Sequence, residues 1–259
     1  MLDEKALRSG LKTRVFGRKI YTFATIDSTN NCAKAVAGCG ADEGTVVVAE
    51  EQTAGRGRLG RTWLADPEKS LTFSVLLRPK AAPEHVSLFS LYAAVAVAKA
   101  VEQMTGLTVE CKWPNDLLIN GRKFAGILLE GAIHQNAIDY VVIGIGMNVN
   151  QESFPPEFGS RATSLLIEGR RPVDREQLFR RTMAQLEEHY ATISAHGPAS
   201  MVPEWVGRSP MINQPVSVTL EGETITGVMK GVSPDGGLVL AVGNTERTLH
   251  AGDTTILKQ

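Results

Sequence analysis

Cysteine is scarce in this chain of 259 residues, which holds three: Cys32, Cys39 and Cys111. An odd number with no C-x-x-C pair signals neither a disulfide framework nor a zinc site, so free thiols and a cytoplasmic setting are expected. The five histidines, at 85, 134, 189, 196 and 250, show no H-E-x-x-H spacing, and no protein-bound metal site is predicted. Charge of one sign is also lacking: 27 basic against 28 acidic residues leave a net charge of −1, which argues against whole-surface attraction to nucleic acid or to an anionic membrane. The longest apolar stretch, Val86 to Val101, is broken by Ser87, Ser90 and Lys99 and is too short to span a bilayer. The start, Met1-Leu2-Asp3-Glu4-Lys5, carries acids and leads into no apolar segment, so no secretory signal is expected.

What the chain does have is a run of fixed cations on a glycine backbone, Gly55-Arg56-Gly57-Arg58-Leu59-Gly60-Arg61, leading into Thr62 and Trp63. Arginine stays protonated and offers a planar donor fork that matches carboxylate and phosphate oxygens, so the run suits a polyanion. It spells G-x-G-x-x-G and nearly spells a Walker A loop, but both need a helix immediately afterwards. The next residues, Trp63 to Pro67 and then Leu71 to Leu77, read as a loop and a strand. Both motifs are therefore set aside.

The pattern along the chain is α+β. A strand over 20–25 leads through Ser28-Thr29-Asn30, which offers capping hydroxyls, into a helix. Strands come next over 45–49 and 71–78, then a helix over 85–104 that is apolar nearly all round and so belongs in a core. Segments 108–113, 124–130 and 140–146 read as closely spaced strands, mostly antiparallel. A helix runs from Asp174, whose partner Gln177 resembles a capping box. Short strands from about Met211, punctuated by Gly222, Asp235-Gly236 and Gly243-Asn244, form a small β-barrel. The expected division is a short N-terminal extension (1–19), a main domain (20–210) and a C-terminal barrel (211–259).

Two further segments concentrate polar groups: Lys112-Trp113-Pro114-Asn115-Asp116, where Pro114 ends a strand, and Gly121-Arg122-Lys123-Phe124-Ala125-Gly126, where a lysine leads into an apolar strand. With Asp27-Ser28-Thr29-Asn30, the Gln52-containing arginine run and Gly144-Ile145-Gly146-Met147-Asn148-Val149-Asn150, the chain resembles the biotin protein ligases in order and spacing. The resemblance runs from about residue 20 to the C-terminus. It implies a class II synthetase-like mixed or antiparallel sheet flanked by helices, with an SH3-like barrel at the end.

It also implies a two-step reaction: biotin and MgATP form biotinyl-5′-AMP, and a lysine of a biotin carboxyl carrier protein then attacks it. Ser28, Thr29, Asn30 and Gln52 would face the ureido ring, which needs neutral donors and acceptors. Arg56, Gly57 and Arg58 would close over biotin, with Arg58 and Lys123 at its carboxylate. Arg61, Trp63, Asn115 and Asn148 would surround the nucleotide, with Trp63 offering a face to the adenine. Asp116 has three readings: orienting a cation, helping to place Mg²⁺, or taking the proton of the acceptor lysine. The glycines at 55, 57 and 60 would let the loop order over an adenylate that water otherwise destroys.

Leu59 stands where some relatives carry another arginine, and the stretch before Ile20 is too short for the helix-turn-helix domain that begins others. A ligase and not a DNA-binding repressor is expected, with no nucleic acid or membrane partner, either a monomer or a homodimer paired through strand 140–146. A lipoate- or octanoate-type ligase is the nearest rival, disfavoured by the absence of R-R-x-x-G-G-G and by the polar Ser28, Thr29 and Gln52. A non-catalytic regulator could dispense with Lys123, and a nucleic-acid module would need more basic charge and clustered aromatics.

Overall fold

A computed structural model describes residues 2–220 and 222–257. Its main sheet is built from β1 (Ile20–Ile26), β2 (Val46–Gln52), β3 (Ser70–Leu77), β4 (Glu110–Lys112), β5 (Asp116–Ile119), β6 (Arg122–His134) and β7 (Ala137–Asn148). The spatial order is β1-β2-β3-β7-β6-β5-β4. The β1–β2 pair is parallel and the others are antiparallel, so the sheet is mixed, as expected. Around it lie α1 (Glu4–Arg8), α2 (Thr29–Gly38), α3 (Leu88–Thr105), α4 (Leu165–Gly169), α5 (Arg175–His196) and α6 (Val202–Gly207).

Strand periodicity decides what each face of the sheet carries. Leu71, Phe73, Val75 and Leu77 of β3, with Ile143, Ile145 and Met147 of β7, join the main core with α3 and α5. The alternate residues point the other way, where Val47, Leu76 and Val142 pack against Ala33 and Ala37 of α2. Helix α2 has ten residues and covers one end of that face. Beyond it the same alternation brings Thr72 and Ser74 of β3 beside Gly144 and Gly146 of β7 and Gly126 of β6. A polar, glycine-floored strip is thus left on an otherwise apolar sheet.

Helix α3 buries thirteen residues. With the turn before it, it is long and apolar enough to cross a membrane by composition, yet most of it is enclosed here. The Tyr92 hydroxyl donates to the Leu186 carbonyl at 2.6 Å and ties α3 to α5; burial pushes this phenol's pKa well up.

The N-terminal segment is more than an extension. Leu2, Leu7 and Phe16 are buried in the main core, and α1 packs on α5. The Glu187 carboxylate accepts the amides of Arg14, Val15 and Phe16. Glu50, at the end of the buried part of β2, takes both arms of Arg175 at 2.8 and 3.1 Å and the amides of Leu2 and Glu68. Burial raises its pKa, but Arg175 and the two amides outweigh burial and hold it below the usual glutamate value. Its contribution to stability is therefore complete above the unfolded glutamate pKa of about 4.3 and is lost as pH falls through the lower folded value. Glu50→Gln, which leaves the largely enclosed Arg175 guanidinium without its carboxylate though still bonded to Ser70 O, is expected to destabilise the fold by about 3 kcal/mol at pH 7, read by urea titration.

The second sheet comprises β8 (Pro215–Leu220), β9 (Glu223–Val232), β10 (Leu238–Val242), β11 (Thr245–Leu249) and β12 (Asp253–Ile256), in the order β11-β10-β9-β8-β12. Its pairs are antiparallel, and Val216, Val218, Met229, Leu238 and Leu240 share the main core. Trp113 anchors it: the indole N–H donates to Gly236 O at 3.1 Å, and the Thr254 hydroxyl donates to Trp113 O at 2.5 Å.

Three local expectations differ. The four-residue strand β5, which Asp116 opens, is not among the strands expected from the sequence. Ser28 is the N-cap of α2, but its hydroxyl makes no capping bond; Gln52, from the neighbouring strand, accepts the Thr29 amide instead. Residues 141–147 of β7 lie between β3 and β6 and present no free edge for pairing across a two-fold, whereas Ala137, Ile138 and Tyr140, at the start of the strand, are paired with β6 alone, so that end leaves an edge open.

Candidate active site

The strip left open by α2 is the floor of the site, and one hydrogen-bonded network forms its wall. Gln52 Oε1 accepts from the Thr29 amide at 2.8 Å and from the Thr29 hydroxyl at 3.0 Å. The Ser74 hydroxyl lies 2.7 Å from Thr29 Oγ1 and 2.6 Å from Asn30 Oδ1. Asn30 Nδ2 donates to Glu130 Oε2 at 2.8 Å. Ser28, Thr29 and Asn30 are all buried, so the side chains lining this end are uncharged and held in place, with the one carboxylate behind Asn30, Glu130, ion-paired.

The floor is glycine because something lies on it. A Cβ on Gly144 would stand 2.3 Å from Asn30 Oδ1, and one on Gly146 would stand 2.3 Å from Trp63 Cε2. A Cβ on Gly126 would meet Lys123 Nζ at 3.2 Å and Trp63 Cζ3 at 3.5 Å. The Trp63 indole therefore rests on the paired glycines 126 and 146, with the Lys123 ammonium 5.7 Å from its ring centre.

The opposite end is charged. Lys123 Nζ contacts Asp116 Oδ1 at 2.6 Å. Arg58 lies close enough to feel both Asp116 and Asp253; burial lowers its pKa and the two carboxylates oppose that. Lys112, opposite Asp116 in the β4–β5 register, has its pKa lowered by burial despite Asp116. Cations outnumber carboxylates here, which suits an incoming anion.

The arginine run is folded on itself. Gly57 N donates to Arg61 O at 2.6 Å and Trp63 N to Gly55 O at 3.0 Å, with Leu59 at the exposed tip at φ +53°. The three arginines diverge. Arg56 reaches Asn31 Oδ1 at 2.6 Å and Glu130 at 3.4 Å, beside Lys34 on the same carboxylate at 2.5 Å. Arg58 donates to Gly252 O at 3.3 Å, and Arg61 pairs with Asp253. The tip is thus held by the second sheet.

Of the residues singled out from the sequence, Thr29, Asn30 and Gln52 share the network, and Trp63, Lys123 and Asp116 share the charged end. The amides of Asn115 and Asn148 donate to backbone, Asn115 to Ile127 O at 2.5 Å and Asn148 to Thr163 O at 3.1 Å. Sequence reasoning missed Thr72, Ser74, Glu130 and Asp253. Thr72 and Ser74 had a signal: two hydroxyls at a period of two inside an apolar strand. Among the described residues no group of three or more His, Cys, Asp or Glu could hold a metal.

Residues 22–148 match the Biotin/lipoate A/B protein ligase family, and residues 211–254 match the Biotin protein ligase C terminal domain. The chain is 36% identical to the biotin–[acetyl-CoA-carboxylase] ligase of Mycobacterium tuberculosis over 99% of its own length and 96% of that protein's. It belongs to the biotin protein ligase family. The Bacillus subtilis bifunctional ligase/repressor BirA is 34% identical over 97% of this chain and 78% of its own. The biotin protein ligase of Aquifex aeolicus, solved with biotin and ATP, superposes with a TM-score of 0.79 at 27% identity, covering 93% of this chain and all of that one.

The Arg61–Asp253 pair gives a direct test of the contact between the second sheet and the arginine loop. Arg61 is 67% exposed, so the pair adds under about 1 kcal/mol to stability. Asp253→Asn is expected to leave the melting temperature within about 2 °C while making residues 55–63 more open to limited proteolysis. An unchanged cleavage rate would show that the pair does not order the loop.

Proposed function

We propose that the chain activates biotin with MgATP and transfers it to one lysine of the carrier domain of a biotin-dependent carboxylase. The observation that carries this reading is the polarity of the groove: neutral hydrogen-bonding groups at Ser74, Asn30, Thr29 and Gln52, and cations at Lys123, Arg58 and Lys112. A substrate with a neutral cyclic urea at one end and a carboxylate at the other matches both ends.

In the first step a carboxylate oxygen attacks the α-phosphorus, and the P–O bond to the β-phosphate breaks to release pyrophosphate. Lys123 and Arg58 would hold carboxylate and phosphoryl oxygens together, offsetting their repulsion. In the second step the neutral amine of the carrier lysine attacks the acyl carbon, AMP leaves with the C–O bonding pair, and the amine loses a proton. Asp116 is the carboxylate that pairs with Lys123 at that end, and this contact supports the reading in which it orients the cation. Arg61, Trp63, Asn115 and Asn148 would meet the nucleotide.

Mass spectrometry of a biotin carboxyl carrier domain after incubation with the chain, biotin and MgATP is expected to show a gain of one biotinyl group, with no gain when lipoate replaces biotin. No biotinyl gain would refute the reading, and a lipoyl gain would favour the rival acid. Arg58→Gly removes a cation from the mixed anhydride and is expected to raise biotin labelling of a bystander protein; unchanged labelling would count against that role.

A further inference from the structure

Four buried side-chain polar atoms among the described residues have no hydrogen-bond partner, and two of them, Thr72 Oγ1 and Trp63 Nε1, belong to the groove. Thr72 is 4% exposed and points to the same side of β3 as Ser74, whose hydroxyl is fully engaged with Thr29 and Asn30. Buried donors without partners are costly, and in a native site each calls for an explanation.

The register places the two atoms together. Thr72 faces Gly146 directly across β3–β7, so its side chain and the position of a Gly146 Cβ are neighbours on one face, roughly 5 Å apart. Trp63 Nε1 lies 2.5 Å from that same Cβ position. Two uncharged donors therefore flank one point on the floor, about 7 Å along the strand from Ser74, between the neutral and the charged ends. An indole N–H only donates and a hydroxyl can donate, so the group that satisfies both is an oxygen.

We propose that Thr72 is a further ligand-binding residue, whose hydroxyl forms with the Trp63 indole N–H a two-donor seat for an oxygen atom of the acyl substrate. The proposal rests on the biotin reading of the groove. That oxygen is a carbonyl oxygen of the ureido ring or a carboxylate oxygen, and the same two donors suit either.

Titration calorimetry of the full chain with biotin, without ATP, tests it. Thr72→Val keeps the shape and removes the hydroxyl; it is expected to weaken biotin binding about 5- to 30-fold, and Thr72→Ser is expected to stay within about threefold of the wild type. Biotinol, which replaces the carboxylate by a primary alcohol, distinguishes the two oxygens: an undiminished loss for Thr72→Val identifies the ureido oxygen, and a smaller loss identifies the carboxylate. Binding of biotin by Thr72→Val within twofold of the wild type, or equal weakness of the serine and valine variants, would overturn the proposal. A wild-type chain that binds no biotin would sink the ligase reading itself, and the seat with it.

Discussion

Lys123→Gln is expected to lower the rate of biotin-dependent pyrophosphate release by about 10²–10³-fold, with a far smaller change in the KM for ATP. The ammonium is a cation placed beside the glycine floor itself, 3.2 Å from where a Gly126 Cβ would stand, and its Asp116 partner fixes it at 2.6 Å. Glutamine keeps a donor of similar reach but no charge, so what is lost is the attraction that grows as two anions approach each other. Its side chain is 36% exposed, so the fold is expected to tolerate the change with under about 1 kcal/mol of destabilisation. A fall of less than tenfold would show that Arg58 and Lys112 suffice and that Lys123 has another purpose.

Much of this architecture is legible in the sequence, and the exceptions share a cause. Strands with strong β-branched or apolar content, such as Val46–Gln52 and Ser70–Leu77, stand within a few residues of their predicted places. Short or polar elements do not announce themselves: Asp116–Ile119 is four residues opening on an acid, and Thr245–Leu249 is exposed along most of its length. They exist because partners across the sheet complete their hydrogen bonds, and single-sequence periodicity cannot see a partner. The same limit applies to the site. Arg56, Arg58, Lys123 and Gln52 stand out by type and motif, whereas Glu130 and Asp253 take their meaning from Arg56 and Arg61, 74 and 192 residues away along the chain. The family resemblance implies a ligand role for Gln52, and the structure shows it closing the N-terminus of α2 where the Ser28 hydroxyl does not.

Gly144→Ala is expected to weaken biotin binding by about 100-fold or more. The new methyl would stand 2.3 Å from Asn30 Oδ1, 2.9 Å from its Cγ and 3.1 Å from its Nδ2. Nothing there can move cheaply, because Asn30 is buried and held by Ser74, Glu130 and the Leu128 carbonyl. Relief requires Asn30 to leave its rotamer, which unbonds Ser74 and breaks the network at its centre, so binding and stability fall together by a few kcal/mol. Gly38→Ala, at the end of α2 with nothing within 4 Å of its Cβ, is the control and is expected to be silent in both. Calorimetry with biotin and a thermal melt on each variant decide it: biotin affinity within threefold of the wild type for Gly144→Ala would mean that the Asn30 wall is not part of the ligand's seat. Loss of affinity at Gly144 in a variant that still melts cooperatively, together with retention at Gly38, would place the neutral end of the substrate against the Asn30 wall above β7, where the period-two glycines make room for Asn30 and Trp63.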